Sequence, residues 1–228
     1  MNSELSLLRL FQLISPSLPI GAFTYSQGLE WAVENTWITS SDSLADWIQC
    51  VMTDGFAYTE LPLLFRLYSA AKQKNEQNFM HWSQYMLACR ETSEFRQEEI
   101  NRARALLSLL NKLPEAGTWP ELFTWRSSLL KSQVSGVALA SSYWQIDLRD
   151  ILIGYSWNWL ENAITVGVKL IPLGQSDGQI LLSQLSELIP GLVDQALNVD
   201  DAEIGASTPA LAIASSLHET QYTRLFRS

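Results

Sequence analysis

SPSLPIGAFTYSQGLE, residues 15–30, decides between two folds. Its centre, Thr24-Tyr25-Ser26-Gln27-Gly28, resembles the G-x-S-x-G turn, where glycines let a strand bend sharply into a helix and expose a serine nucleophile. Aspartates follow it and His218 comes late, so the serine, acid, histidine order of one hydrolase class is met. The same residues also read as a helix start capped by Ser26, or as part of a docking surface. The surroundings argue against the nucleophile. Thr24 stands where close packing favours glycine, too few residues lie upstream for the strands such a turn needs, and no strand–helix–strand units follow. Catalysis by Ser26 with His218 stays as the alternative to a helix cap.

Outward from this stretch the pattern is helical. Leu5, Leu8, Phe11 and Leu13 predict a first helix, which Pro16 and Pro19 stop. Leu29, Trp31, Ala32 and Val33 predict a short second helix ending near Asn35. Ser40-Ser41 starts a third, and Thr59 offers a cap, with Pro62 tolerated in the first turn. Phe79, Trp82, Tyr85, Met86 and Cys89 keep helical spacing until Thr92 or Ser93 breaks the run. Thr118 with Glu121, and Ser176 with Gln179, have capping-box spacing.

Ser135, Gly136, Ala138 and Ala140 predict a helix packed closely on a neighbour. Asp147 caps a long apolar helix running toward Ile171, which holds Asn158, Glu161, Asn162 and Lys169 and so reads as buried and not membrane-spanning. Thr208-Pro209 begins the last helix. With no repeat and no alternating strand pattern, the expectation is an all-α single domain over residues 1–228 with about ten helices, of which 219–228 form a flexible C-terminal partner-binding tail.

Composition narrows the function. A net charge of −9 argues against nucleic acid and anionic membranes. Nine tryptophans in a chain only 17% charged point to a protein–protein interface. Cys50 and Cys89 sit apart inside helical patterns, so they read as buried reduced thiols and place the chain in the cytoplasm. The N-terminus lacks the cleavage site of a signal peptide. His81 and His218 have only Tyr85 and Tyr222 at i+4, and His218-Glu219 makes a weak nickel or zinc site, so no protein-only metal site is expected. Gly174 and Gly178 lack the lysine of a phosphate-binding loop.

Two charged stretches remain. Arg90, Glu91, Glu94, Arg96, Glu98, Glu99, Arg102 and Arg104 alternate in sign along a helix, either as a solvated face or as a polar interface. The tail Gln221-Tyr222-Thr223-Arg224-Leu225-Phe226-Arg227-Ser228 carries the residue types that anchor interfaces.

SPSLPIGAFTYSQGLE, RETSEFRQEE, PLGQSDGQ and HETQYTRLFRS, in that order over nearly the whole chain, resemble the family of the urease accessory protein UreF. Ala22, Thr24 and Phe95 depart from the family's commoner glycine, serine and leucine. The resemblance implies an all-helical, dimerising, non-catalytic adaptor without a cofactor, which binds UreD (also called UreH), recruits the GTPase UreG and assembles on apo-urease. There it would help deliver nickel and the carbon dioxide that carbamylates an active-site lysine. By matching motif, Tyr25, Ser26, Gln27, Gly28 and Glu30 would face partners from the N-terminal stretch. Arg90, Glu91, Glu94 and Arg96 would do so from the central motif. His218, Glu219, Gln221, Tyr222, Arg224, Leu225, Phe226 and Arg227 would order on UreD and help form the UreG platform.

Overall fold

The computed structural model describes residues 3–228, and among them every regular element is helical. The order is α1 (Ser3–Ile14), α2 (Leu29–Glu34), α3 (Ser41–Cys50), α4 (Glu60–Lys72), α5 (Glu76–Ala88), α6 (Ser93–Leu110), α7 (Glu121–Thr124), α8 (Arg126–Leu129), α9 (Gln133–Tyr143), α10 (Leu148–Leu170), α11 (Gln175–Ser186), α12 (Ile189–Leu197) and α13 (Pro209–His218). Ten of these have seven residues or more, so the all-α expectation holds. No described helix is long and apolar enough to cross a membrane.

Two helices form the centre. In α9 every residue from Gln133 to Ser141 is buried, and it packs on α4 and α6. Its small residues set the approach, as expected: a Cβ on Gly136 would come within 2.7 Å of Leu106. The second is α10, which carries α1, α11 and α12 around it. Gly154 meets Leu10 of α1, and Gly167 meets Leu44 of α3. At one end α13 crosses α2 and α6.

Local caps follow the sequence at several helix starts. The hydroxyl of Ser40 accepts from Ser43 N, that of Thr92 from Phe95 N (3.1 Å), and the Asp147 carboxylate from Arg149 N (2.8 Å). Thr92 also bonds the Ser215 hydroxyl of α13 at 2.8 Å. Thr92→Ala therefore removes a cap and strands a buried hydroxyl. Urea denaturation should show a loss of about 1–2 kcal/mol.

Other starts differ from expectation. Thr118 donates to the Glu115 carbonyl within a 3₁₀ turn, and Pro120 precedes α7, so the Thr118–Glu121 box does not form. α11 begins at Gln175, one residue before the expected cap, because the Asp177 carboxylate accepts from Gly174 N (3.0 Å). Thr59 precedes α4, but its hydroxyl donates to the Ala206 carbonyl (2.8 Å). A π-helical turn, Val51–Phe56, links α3 to α4.

The apolar spacing of α1 was a correct helix signal, but it did not mark the buried face. Leu10 and Leu13 are buried, whereas Leu5, Leu7, Leu8 and Phe11 are 40–60% exposed. Cys50 is exposed, its Sγ 3.2 Å from the Asp54 carboxylate, and Cys89 is half-buried, so neither is the core thiol expected. His81 is likewise exposed, edge-on to Trp82.

Candidate functional site

Residues 24–30 and 218–228 meet at the junction of α2, α6 and α13. Gln27 (φ 54°) and Gly28 (φ 80°) both take the left-handed conformation, which turns the chain into α2. Gly28 is required twice over, since a Cβ there would lie 2.8 Å from the main-chain nitrogen of Ser215. α2 starts at Leu29 after Gly28, so Ser26 is not its cap residue; the Ser26 hydroxyl receives only a long contact from Glu30 N (3.4 Å).

That hydroxyl instead donates to the main-chain oxygen of Ser228 at 2.6 Å. The same oxygen accepts from the main-chain N–H of Ser26 and of Gln27. Glu30 completes the cradle, with its carboxylate accepting from Leu225 N (2.6 Å) and Phe226 N (3.0 Å). Arg227 N donates to the Thr24 carbonyl (2.8 Å). Residues 225–228 thus lie along the 24–30 stretch as an added segment of chain, held by main-chain donors and one carboxylate.

His218 is fully buried beneath this segment, its Nδ1 2.8 Å from Glu94 and its Nε2 3.2 Å from Glu30. Carboxylates accept, so this geometry needs a proton on each ring nitrogen or one on a carboxyl. Arg224 bonds the other Glu94 oxygen (2.8 Å), and the Glu219 carboxylate accepts from Ser93 N (2.9 Å) at the start of α6. The bond from Ser93 holds the Glu219 carboxyl below its ordinary range. Gln221 reaches Glu34 of α2.

The hydrolase reading fails on this geometry. Both ring nitrogens of His218 are taken by Glu30 and Glu94, and the Ser26 hydroxyl is spent on Ser228, so His218 does not serve the serine as a base.

The charged stretch of α6 is mostly neither a solvated face nor an exposed interface. Glu98 and Glu99 are buried. Arg90 bridges Glu60 (2.8 Å) and Glu99 (2.7 Å), and Glu99 also accepts from the Ser132 hydroxyl and Gln133 N, both at 2.8 Å. Burial disfavours the Arg90 charge, but Glu60 and Glu99 outweigh it and lift the guanidinium well above its ordinary range. Burial alone would raise Glu99; Arg90 and the Ser132 hydroxyl hold it below the usual carboxylate range. Tyr155, 3.1 Å from Glu60, is pushed well up by burial and then by the Glu60 and Glu99 charges.

A second strand of this network reaches the tail. Trp159 Nε1 donates to Gln27 Oε1 (3.0 Å), Gln27 Nε2 to Glu98 (2.9 Å), Arg102 to Glu98 (2.8 Å) and the Ser228 hydroxyl to Glu98 (3.2 Å).

Of the predicted site residues, the fold therefore unites Ser26, Gln27, Gly28, Glu30, Glu94, His218, Glu219, Arg224 and Phe226. Tyr25, Ser26, Gly28 and Glu30 are buried and not displayed outward. Arg90 belongs to the inner network; Glu91 and Arg96 are exposed, Arg96 donating to the Arg90 carbonyl (2.6 Å). Tyr222 and Leu225 point fully outward, with 102% and 77% exposure. Glu60, Glu98, Glu99, Arg102, Tyr155 and Trp159 join the site without having been singled out as such. Glu60 stood out only as a charge before an apolar run, Glu98, Glu99 and Arg102 belonged to the charged stretch already noted, and Tyr155 and Trp159 gave no signal.

Comparison with known proteins bears on the same residues. The family model described as UreF matches residues 38–186, which takes in the central motif and PLGQSDGQ. Proteins named urease accessory protein UreF align over the full length: that of Alcanivorax borkumensis is 53% identical and that of Pseudomonas putida 50%, each covering 100% of both chains. That of Citrobacter koseri is 44% identical over 97% of each. The first two of these alignments include the 15–30 stretch and the tail that clasps it, and the resemblance read from four motifs holds: the chain belongs to the UreF family.

Proposed function

We propose that the chain is a non-catalytic adaptor of urease maturation, acting in the cytoplasm as a homodimer that binds UreD (UreH) and brings the GTPase UreG to apo-urease for nickel insertion. Full-length kinship with proteins named for that accessory role carries the reading. The site supports it, because its polar groups bond one another and leave an outward surface.

Division of labour within the tail follows from exposure. Phe226 and Ser228 are buried and, with the main chain, fasten the segment; Tyr222 and Leu225 face outward, and Ile213 and Leu217 of α13 are half-exposed. Tyrosine and a large aliphatic side chain held on a fixed backbone bind a partner with little further ordering. In this reading Tyr25, Ser26, Gln27, Gly28, Glu30 and His218 set the tail's position, while Tyr222, Arg224, Leu225 and Arg227 meet UreD. Glu91, Glu94, Arg96, Glu219 and Gln221 border the same surface.

Deleting the tail would expose Glu30 and Glu98 and so mix folding with binding. Tyr222→Ala with Leu225→Ala avoids this. Binding to purified UreD should weaken by about 2–4 kcal/mol while far-UV circular dichroism and thermal unfolding stay as in the parent. Unchanged affinity would remove UreD from the tail.

A further inference from the structure

Glu161 stands apart from both networks. It lies on α10, facing a cleft of about 80 Å³ between that helix and the 15–23 segment. Leu18 and Ile20 are buried in its wall, Asn162 and Thr165 stand on the α10 side, and Phe23 is 59% exposed at its edge. The frame is fixed from both sides. Asn158 Nδ2 donates to the Ile14 carbonyl (2.8 Å), and the Thr24 hydroxyl closes the turn carrying Phe23 onto the Gly21 carbonyl (2.8 Å).

Within this frame Glu161 is half-buried and has no hydrogen-bond or ion-pair partner among the described residues. Among the described residues, no basic one lines the cleft. Burial pushes the Glu161 carboxyl up, as expected of a charge lacking a partner. An unpaired, half-buried carboxylate costs stability, in a protein that pairs nearly every other buried charge.

The cleft's chemistry specifies what would satisfy it. A metal ion needs several donors, and no group of three His, Cys, Asp or Glu suited to a metal occurs among the described residues. A lysine or arginine side chain fits better: its methylene stem matches the Leu18 and Ile20 wall, and its head meets one carboxylate and an aromatic face. The chain's charge of −9 favours the approach of such a group.

We propose that the cleft bounded by Glu161 and Phe23 is a docking socket for a lysine or arginine side chain of a partner protein. The proposal rests on the adaptor reading and concerns a surface other than the tail. The test compares full-length wild type, Glu161→Gln, Glu161→Lys and Phe23→Ala for binding to purified UreD, UreG and apo-urease, with a thermal melt of each variant. Glu161→Lys should weaken at least one of these associations by about tenfold or more, and Glu161→Gln and Phe23→Ala should weaken the same one by less.

Glu161→Gln should melt at or above the wild-type temperature, since it removes an unpaired charge. A fall in its melting temperature would show a structural carboxylate and overturn the socket. Wild-type binding that Glu161→Lys leaves intact would overturn the socket alone. A wild-type chain that binds none of the three would overturn the adaptor reading and the socket with it.

Discussion

Arg90→Ala should unfold the protein about 10–15 °C below the wild type. Arg90 is the shared cation of Glu60 and Glu99, whose side chains are only 10% and 6% exposed. Removing one member of a buried ion cluster leaves the others desolvated without compensation, at about 3–5 kcal/mol. A chain of this size loses roughly 2–4 °C per kcal/mol. Differential scanning calorimetry reads the result directly, and a melting temperature within about 2 °C of wild type would refute the role given to Arg90.

Acid should act along the same line. Glu99 is held below its ordinary value of 4.5 in the folded state. On acidification the unfolded chain therefore binds that proton first. The stabilisation is whole above the unfolded value and disappears as pH falls through the lower folded value. Arg90→Ala removes the cause of the depression. Its acid-unfolding midpoint, followed by tryptophan fluorescence, should lie at higher pH than that of wild type.

Gly28→Ala is the second large effect. Two independent penalties fall on one methyl group. The left-handed backbone at φ 80° costs a non-glycine residue about 1–2 kcal/mol, and the 2.8 Å approach to Ser215 N adds about 1–3 kcal/mol of overpacking against main chain that cannot step aside. α2 must then shift from α13, taking Glu30 away from Leu225 and Phe226. Amide exchange at those two residues should accelerate more than at Leu106 in the core. Gly191→Ala in α12 is the control. A Cβ there meets nothing within 4 Å, so the gain in helix propensity should stabilise by roughly 0.5–1 kcal/mol.

Features written within a few residues were legible before the fold was known. Ser40, Thr92 and Asp147 cap helices because a cap needs only its own next three residues. Gly136 and its small neighbours announced a close helix contact for a similar reason. Thr118 misled because Pro120 redirects the chain, leaving the hydroxyl nearest the Glu115 carbonyl.

The site was legible as a set of residues but not as an arrangement. Arg102 does find Glu98 at i,i+4, yet Arg90, just before α6, finds its partners nine and thirty residues away. Distance along the chain hides such pairs, and alternating signs then look like a solvated surface. Ser26 shows the same limit: its hydroxyl suited a cap, a nucleophile or a surface, and its partner proved to be 202 residues distant. In α1 the period of the apolar residues is helical whichever side turns inward, so Leu8 and Phe11 could not be told from Leu10 and Leu13.

The clasp between Glu30 and the amides of Leu225 and Phe226 has a consequence for synthesis. Its halves lie 195 and 196 residues apart, so on the ribosome the carboxylate emerges long before its donors. At about 5–20 residues per second, roughly 10–40 s separate them. Throughout that interval α2 has no tail to hold, and the groove along residues 24–30 stands open to any extended peptide with free amides. The newborn protein is therefore most vulnerable to mispairing at the place where the finished one is most tightly fastened, until residues 225–228 close the clasp.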